Sequence, residues 1–289
     1  MIRCASCHEA VVSLAADCGE CGWAPERGGG YIDVVARGTD PSGGFGERDL
    51  ERLAGVEDGS FWFRARNALL LETFESHFPA ARSLLEVGCG NGYVLSAIAE
   101  RHPEIDVAGV DLGDAGLRAA RARIPRATLV RADARELPFE DEFDVIGAFD
   151  VIEHVREDDA VLAAIHRALR PGGGIFVSVP QHRWLWSETD RYAGHERRYT
   201  RRELAGKLDR AGFRMRWVTS FVTLLLPAMV ASRAWQALSR RQFDPTRELA
   251  VNRRIDALLE RVMRVEAGAI GRGFYLPVGG SLLAVAERV

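Results

Sequence analysis

One stretch limits what this chain can fold into more than any other: Leu84-Leu85-Glu86-Val87-Gly88-Cys89-Gly90-Asn91-Gly92. Its apolar start reads as a buried strand. An acid and three glycines at alternate positions follow. Residues 93–100, with apolar side chains three and four apart, then read as a helix. Strand, glycine loop and helix make the first turn of a nucleotide-binding α/β unit. Glycine lets the backbone turn sharply there and lets a ligand approach without a Cβ in the way.

The spacing is not that of a dinucleotide fingerprint, because Tyr93 stands where a third spaced Gly or Ala belongs. No Lys-Ser/Thr pair marks a phosphate loop. Glu86 lies just under the loop, where it would repel a pyrophosphate and attract an ammonium and a sulfonium. S-adenosylmethionine (SAM) carries both.

Four of the five cysteines, Cys4, Cys7, Cys18 and Cys21, form C-x2-C-x10-C-x2-C. Two such knuckles present four thiolates tetrahedrally, which suits structural Zn²⁺. About 30 residues cannot build their own core, so the metal would supply folding energy on the order of 10 kcal/mol. Cys89, in the glycine loop, reads as a small buried filler. The net charge of −3 gives no global argument for nucleic acid. The chain reaches charge within its first residues, so no signal peptide and a cytoplasmic location are expected.

These signals divide the chain into a zinc ribbon (1–36), a linker with N-terminal helices (37–80) and a larger α/β domain (81–289). The ribbon ends in a short strand over 31–35. Residues 37–48 read as linker and 49–78 as helix. Within that helix, Phe61, Trp62 and Phe63 cannot all face one core. Either the helix packs on the sheet or it forms a lid that brings Arg64 or Arg66 to a ligand carboxylate. Further strands are predicted at 106–110, 127–131, 143–149, 175–179, 213–220 and 281–286. Helices alternate with most of them. The helix over 158–169 stops at Arg170-Pro171-Gly172. Thr200 and Glu203 form a capping box for a helix over 200–211. Asp111 closes the second strand about 20 residues past the glycine loop, the usual interval for an acid that binds both ribose hydroxyls.

The order of these signals resembles the class I SAM-dependent methyltransferases, close to the ubiquinone/menaquinone-biosynthesis type. The residues that carry the likeness run from Leu85-Glu86-Val87-Gly88-Cys89-Gly90-Asn91-Gly92 through Gly109-Val110-Asp111 and Arg131-Ala132-Asp133-Ala134. They continue in Leu137-Pro138-Phe139, Phe143-Asp144-Val145-Ile146, Glu153-His154-Val155 and Leu169-Arg170-Pro171-Gly172-Gly173. The resemblance implies a Rossmann-like seven-stranded sheet of order 3-2-1-4-5-7-6, flanked by helices, with a helical insertion between strands six and seven. It implies that Glu86, Gly88 and Gly90 line the methionine end of SAM. Asp111 would bind the ribose diol and Leu112 would lie against the adenine. Asp133 would accept from the adenine amino group with Ala134 beside the ring, and Phe149 and Asp150 would lie near the methyl. Asp111 and Asp133 as mere helix caps are the plainer alternative.

The methyl acceptor is less constrained. His154 is a candidate base or metal ligand, since some quinone methyltransferases are thought to hold a metal near an equivalent Glu-His pair; it is otherwise a wall of the pocket. His195 is a second candidate base. The cluster Gln181-His182-Arg183-Trp184-Leu185-Trp186 with Tyr192, Arg197, Arg198 and Tyr199 suits a planar or anionic acceptor, or is a solvated loop.

Residues 217–232 carry no charge but are too short, and broken by Pro227, to span a bilayer. Part of the run belongs to the strand over 213–220; the rest, followed by Arg233, Trp235, Arg240 and Arg241, predicts an amphipathic helix that packs on the sheet or a dimer partner, or touches a membrane. A second helix over 252–269 has Ile255, Leu258, Leu259, Val262 and Met263 on one face. Together these helices form a cap over about 221–280. The expected function is methylation of a small or lipid-linked metabolite. The alternative is an rRNA base methyltransferase that uses the ribbon and an arginine-rich stretch over 191–216 for RNA recognition. A third reading is a partner-binding module that has lost catalysis.

Overall fold

A computed structural model describes residues 1–35, 59–238 and 252–289. The expected linker, the front of the helix expected over 49–78, and Arg240 and Arg241 lie outside the described residues.

The N-terminal segment holds two small hairpins, β1 (Ile2–Arg3) with β2 (Ala10–Val11), and β3 (Glu26–Gly28) with β4 (Tyr31–Asp33). Helix α1 (Phe61–His77) leads into the alternating part: β5 (Ser83–Val87), α2 (Tyr93–Arg101), β6 (Asp106–Asp111), α3 (Asp114–Arg123), β7 (Thr128–Arg131) and β8 (Phe143–Phe149). Then come α4 (Asp158–Ala168), β9 (Leu169–Pro180), the short α5 (Glu188–Tyr192), α6 (Arg201–Arg210) and β10 (Phe213–Phe221). Helices α7 (Leu226–Leu238) and α8 (Arg253–Gly271) precede β11 (Ser281–Arg288).

One sheet of nine strands runs β10-β11-β9-β8-β5-β6-β7-β4-β3. Its last seven strands by sequence have the expected order 3-2-1-4-5-7-6. The strands from β7 to β9 are parallel, and β11 runs antiparallel between β9 and β10. The sheet gains two strands that were read as part of a separate ribbon. β4 pairs parallel with β7, Ile32 opposite Val130 and Asp33 opposite Arg131. A core lies on each face, as a sheet wrapped by helices requires. One holds Val87, Val110, Ile146, Val177 and Tyr199, and the other holds Leu70, Phe74, Leu95, Phe149 and Phe176.

Residues Phe61, Trp62 and Phe63 resolve their conflict by facing different partners. Trp62 stacks on Phe221 at 6.1 Å and Phe63 meets Tyr93 edge-on at 6.0 Å. The backbone N–H of Phe61 donates to Asp256 on α8 at 2.7 Å. Arg64 binds Asp256 and Glu260 of that helix. The expected apolar face of α8 needs correction: Ile255 and Leu258 are exposed. The buried face carries Asp256, Met263, Glu266, Ala267 and Ile270. Its acids are satisfied from other elements, Asp256 by α1 and Glu266 by the Leu224 N–H at 2.8 Å. Pro227 begins α7 without breaking it, because the second position of a helix has no intrahelical N–H bond to lose. Among the described residues, no helix is long and apolar enough to cross a membrane.

Candidate active site

The C-terminal ends of β5 and β6 hold the glycine loop. The N–H groups of Gly88 and Cys89 both donate to Val110 O, at 2.7 and 3.0 Å. Asp111 takes the Gly90 N–H on Oδ2 at 2.8 Å and the Gly113 N–H on Oδ1 at 2.7 Å. Gly88, Gly90 and Gly92 all have positive φ, so side chains there would be strained. A Cβ on Gly88 would strike Val151 at 2.4 Å, whereas a Cβ on Gly90 would enter open space. Above Gly90 the loop therefore leaves room for a close approach to its backbone, with buried Glu86 at the end of the strand below.

Burial pushes the Asp111 carboxyl up, and the amides of Gly113 and Gly90 pull it back. Each carboxylate oxygen has two acceptor sites and spends one on a described amide, so a vicinal diol still finds acceptors there. Cys89 is buried against Gly109, with its thiol raised well above the ordinary value by burial and by Asp111 and Glu86. That fits an inert filler, since the thiolate is the nucleophile.

Leu112 follows Asp111, and its carbonyl accepts from Arg131 Nε at 2.9 Å. Asp133 is engaged by Arg135, whose Nη2 approaches Oδ2 at 2.6 Å and whose Nη1 also reaches Glu157 at 3.0 Å. Burial would raise Asp133, but Arg135 outweighs it and holds the carboxyl low. Ala134 is half-buried beside it. Phe149 turns its ring into the core against Phe176, at 4.9 Å.

Asp150 is the hinge of the site. It adopts a left-handed conformation at φ 57°, an uncommon choice for a residue with a Cβ. Its Oδ1 accepts from Ser178 Oγ at 3.2 Å, and its Oδ2 pairs with Arg66 Nη2 of α1 at 2.6 Å. So Arg66 faces the strand ends while Arg64 serves α8. Arg66 is buried and its Nε has no hydrogen-bond partner among the described residues. Beside it Glu153 is fully buried, and neither of its oxygens has a hydrogen-bond partner among the described residues. Burial first, and Asp150 second, push this carboxyl well above its ordinary value. Native buried polar atoms are rarely left this way; a pocket wall awaiting a ligand is one place where they are.

The two candidate bases meet here. The rings of His154 and His195 cross edge-to-face at 4.7 Å. His195 Nδ1 lies 2.9 Å from Asp190 Oδ1, which also accepts from Arg198 Nε at 2.7 Å. Asp190 is completely buried. Burial opposes its ionisation, but His195 and Arg198 overcome that and hold it far below the usual carboxylate range. His154 is lowered to about 4, by burial and then by His195, so it is neutral near pH 7. Ligand atoms of Glu153, His154 and His195 lie within 4.8 Å of one another.

Sequence reasoning missed Asp190, the partner that His195 shares with Arg198. The Ser187-x-x-Asp190 capping box was a local signal for Asp190. The arginines read as anion ligands are instead fasteners. Arg197 pairs with Asp158 at 2.8 Å, Arg198 with Asp190, and Arg183 with Glu203. Tyr199 is buried and donates to Asp158 at 2.7 Å. Of the tryptophans there, Trp184 is exposed and stacked on His182 at 5.4 Å.

The four N-terminal cysteines converge. Cys4 Sγ lies 3.7 Å from Cys21 Sγ and Cys7 Sγ 3.6 Å from Cys18 Sγ. A disulfide needs about 2.05 Å. A tetrahedron with Zn–S of about 2.3 Å has S···S edges of about 3.8 Å, so the donor set is consistent with zinc.

A parallel sheet reversed by one antiparallel strand, with a glycine cradle and strand-end acids, defines the methyltransferase class of the Rossmann-like folds. Residues 84–173 match a family described as a methyltransferase domain. The chain is 36% identical over 172 residues to an S-adenosylmethionine-dependent methyltransferase of Mycolicibacterium smegmatis, covering 58% of this chain and 64% of the relative. It is 29% identical over 122 residues to the ubiquinone biosynthesis O-methyltransferase of Acinetobacter baylyi, covering 39% and 50%. The match thus spans about half to two-thirds of these relatives. Among solved structures it resembles a chain in a complex between the Haloferax volcanii Trm112 methyltransferase activator and a methyltransferase, with TM-score 0.56, 19% identity and coverage of 84% and 95%. It also resembles a [4+2]-cyclase, SpnF, with TM-score 0.53, 20% identity and coverage of 78% and 83%. Residues 84–173 thus carry the methyltransferase-domain match, and the fold around them is the one these methyltransferases share.

Proposed function

We propose that this protein transfers the methyl group of SAM to a hydroxyl or amine of a small or lipid-linked acceptor, with hydroxyl the better fit. When bound, SAM supplies a methyl carbon on a positively charged sulfur. Gly90 clears room for its amino-acid end beside Glu86 and Gly88, and Arg66, paired with Asp150, is the candidate partner of its carboxylate. Asp111 accepts the ribose diol. Leu112 and Ala134 flank the adenine, and Asp133 takes its amino group alongside Arg135. Phe149 and Asp150 end the strand that faces the methyl. The chain mostly aligns acceptor oxygen, methyl and sulfur in line.

The observation that carries the hydroxyl reading is the pairing of His195 with Asp190. A carboxylate on Nδ1 leaves Nε2 as the acceptor of a proton and stabilises the imidazolium that forms. A protonated amine acceptor would need a base as well, but a hydroxyl needs it throughout. His154, neutral beside it, serves as a pocket wall that keeps a second charge away from His195. The exposed Leu224, Val230 and Trp235 on the cap favour an acceptor with a lipid tail.

The RNA reading loses support because the arginines over 191–216 are largely spent on internal partners: Arg191 on Glu188, Arg197 on Asp158, Arg201 on the Val218 and Leu276 carbonyls, and Arg214 and Arg216 on Glu287. Phosphate binding needs such charges free. The test is S-adenosylhomocysteine (SAH) release with panels of phenols, alcohols, amines and structured RNA. Turnover of phenols or alcohols that vanishes in His195→Ala supports the reading. Turnover of RNA alone, or of amines with His195→Ala fully active, refutes it.

A further inference from the structure

The four-cysteine segment does more than decorate the edge of the sheet. Its hairpins reach the two loops that the cofactor reading assigns to adenosine. After β6, the Tyr31 hydroxyl donates to Asp114, and Gly30 O accepts from Arg121 Nε of α3 at 2.6 Å. Asp33 Oδ2 holds Arg131 Nη1 at 2.8 Å, and the same guanidinium donates through Nε to Leu112 O at 2.9 Å. After β7, the Arg3 N–H donates to Pro138 O at 3.0 Å, and Ile2 bridges to Phe139. Arg3 Nε reaches Glu140 Oε2 at 2.8 Å. Leu14 and Val34 share the core that contains Leu137 and Phe139. The loops carrying Leu112, Asp133 and Ala134 are therefore gripped from outside by a segment that gathers around the cysteine cluster.

A segment this short has too little core to hold its shape alone. A metal joining the four thiolates would supply the order that such a segment lacks. Whatever stabilises the grip stabilises the loops, and linkage makes the effect mutual.

We infer that the metal-loaded N-terminal element is a working part of the cofactor site, with Tyr31 and Asp33 as positioning residues for the adenosine loops. Filling the cysteine site then tightens cofactor binding, and bound cofactor holds the metal more tightly. The inference rests on the cofactor assignment of the previous section.

The experiment uses the full-length, zinc-loaded chain. SAH affinity is measured by calorimetry for wild type and for the double variant Tyr31→Phe, Asp33→Asn. Zinc release to a colorimetric chelator is timed with and without saturating SAH. The variant is expected to bind SAH about five- to twentyfold more weakly while keeping its zinc, and SAH is expected to slow wild-type zinc release by a similar factor. Hydrogen exchange on the wild type gives an independent measure: chelation should speed exchange over residues 112–114 and 132–139. Equal SAH affinity in the variant together with SAH-independent zinc release overturns the inference. Wild type that binds zinc but no SAH overturns the cofactor assignment instead. A variant that loses its zinc hands the decision to the wild-type release and exchange measurements.

Discussion

On the cofactor side of the site, the chain holds its geometry with near neighbours and backbone. The glycine loop hangs from Val110 and Asp111, and Asp111 binds two amides rather than a distant side chain. On the acceptor side, distant segments are tied by charge: Arg66 of α1 to Asp150 at the end of β8, Arg197 to Asp158, and Arg198 and His195 to Asp190. Backbone geometry suits an invariant ligand, which needs only space and a few fixed acceptors. Side-chain charges brought together from several elements instead tie distant segments to one another, and each buried pair is costly to break.

The strongest way to break this contrast is at His195. His195→Ala should lower kcat for a hydroxyl acceptor by about 10²- to 10⁴-fold while leaving SAH affinity within twofold. Asp190→Asn should lower kcat by a smaller factor and shift its pH profile, because the amide keeps the α5 cap but no longer stabilises an imidazolium. Unchanged kcat in both would show that the pair only fastens the loop.

The next test lies on the other side. Asp111→Ala removes the loop clamp together with the diol acceptor, so SAH affinity should fall about 100-fold by calorimetry, roughly 2.7 kcal/mol. A fall under threefold would mean that the diol is bound elsewhere. Arg66→Met lies between the two halves. It leaves Asp150 without its buried partner and takes a cation from the methionine end, and it should weaken SAH about tenfold, roughly 1.4 kcal/mol. An effect on kcat alone would assign Arg66 wholly to the methyl acceptor.

How much of this was readable beforehand follows the same divide. Glu86, Gly88, Gly90 and Asp111 announce themselves because strand, loop and helix are consecutive, so local pattern fixes them. The strand order came with the resemblance. Arg66 was named as one of two candidates, yet nothing local separates it from Arg64, since the choice depends on where α8 puts Asp256 and Glu260. The β4 strand was expected, but not its pairing with β7, because parallel pairing at an edge leaves no mark in a three-residue strand. The stripe on α8 misled for a related reason. Ile255 and Leu258 look like a core face until Arg64 and the Leu224 N–H satisfy Asp256 and Glu266, which lets acids occupy the buried side.

The smallest effect expected is also the most specific to the open polar wall of the acceptor side. Glu153 is buried with no partner for either oxygen among the described residues, and its carboxyl is raised above 4.5 by burial and by Asp150. Above pH 4.5 the unfolded chain releases this proton while the folded chain keeps it, so stability should fall as pH rises from there toward the folded value. His154, lowered from 6.5 to about 4, works in the opposite direction: stability falls as pH drops through that window, because only the unfolded chain takes up the proton. Glu153→Gln keeps the shape and removes only the first slope. Its melting temperature should therefore match wild type near pH 5 and exceed it by a few degrees near pH 8, at about 2–4 °C per kcal/mol. The acid limb set by His154 should be unaltered. Parallel melting curves across the whole range would mean that Glu153 already has a donor.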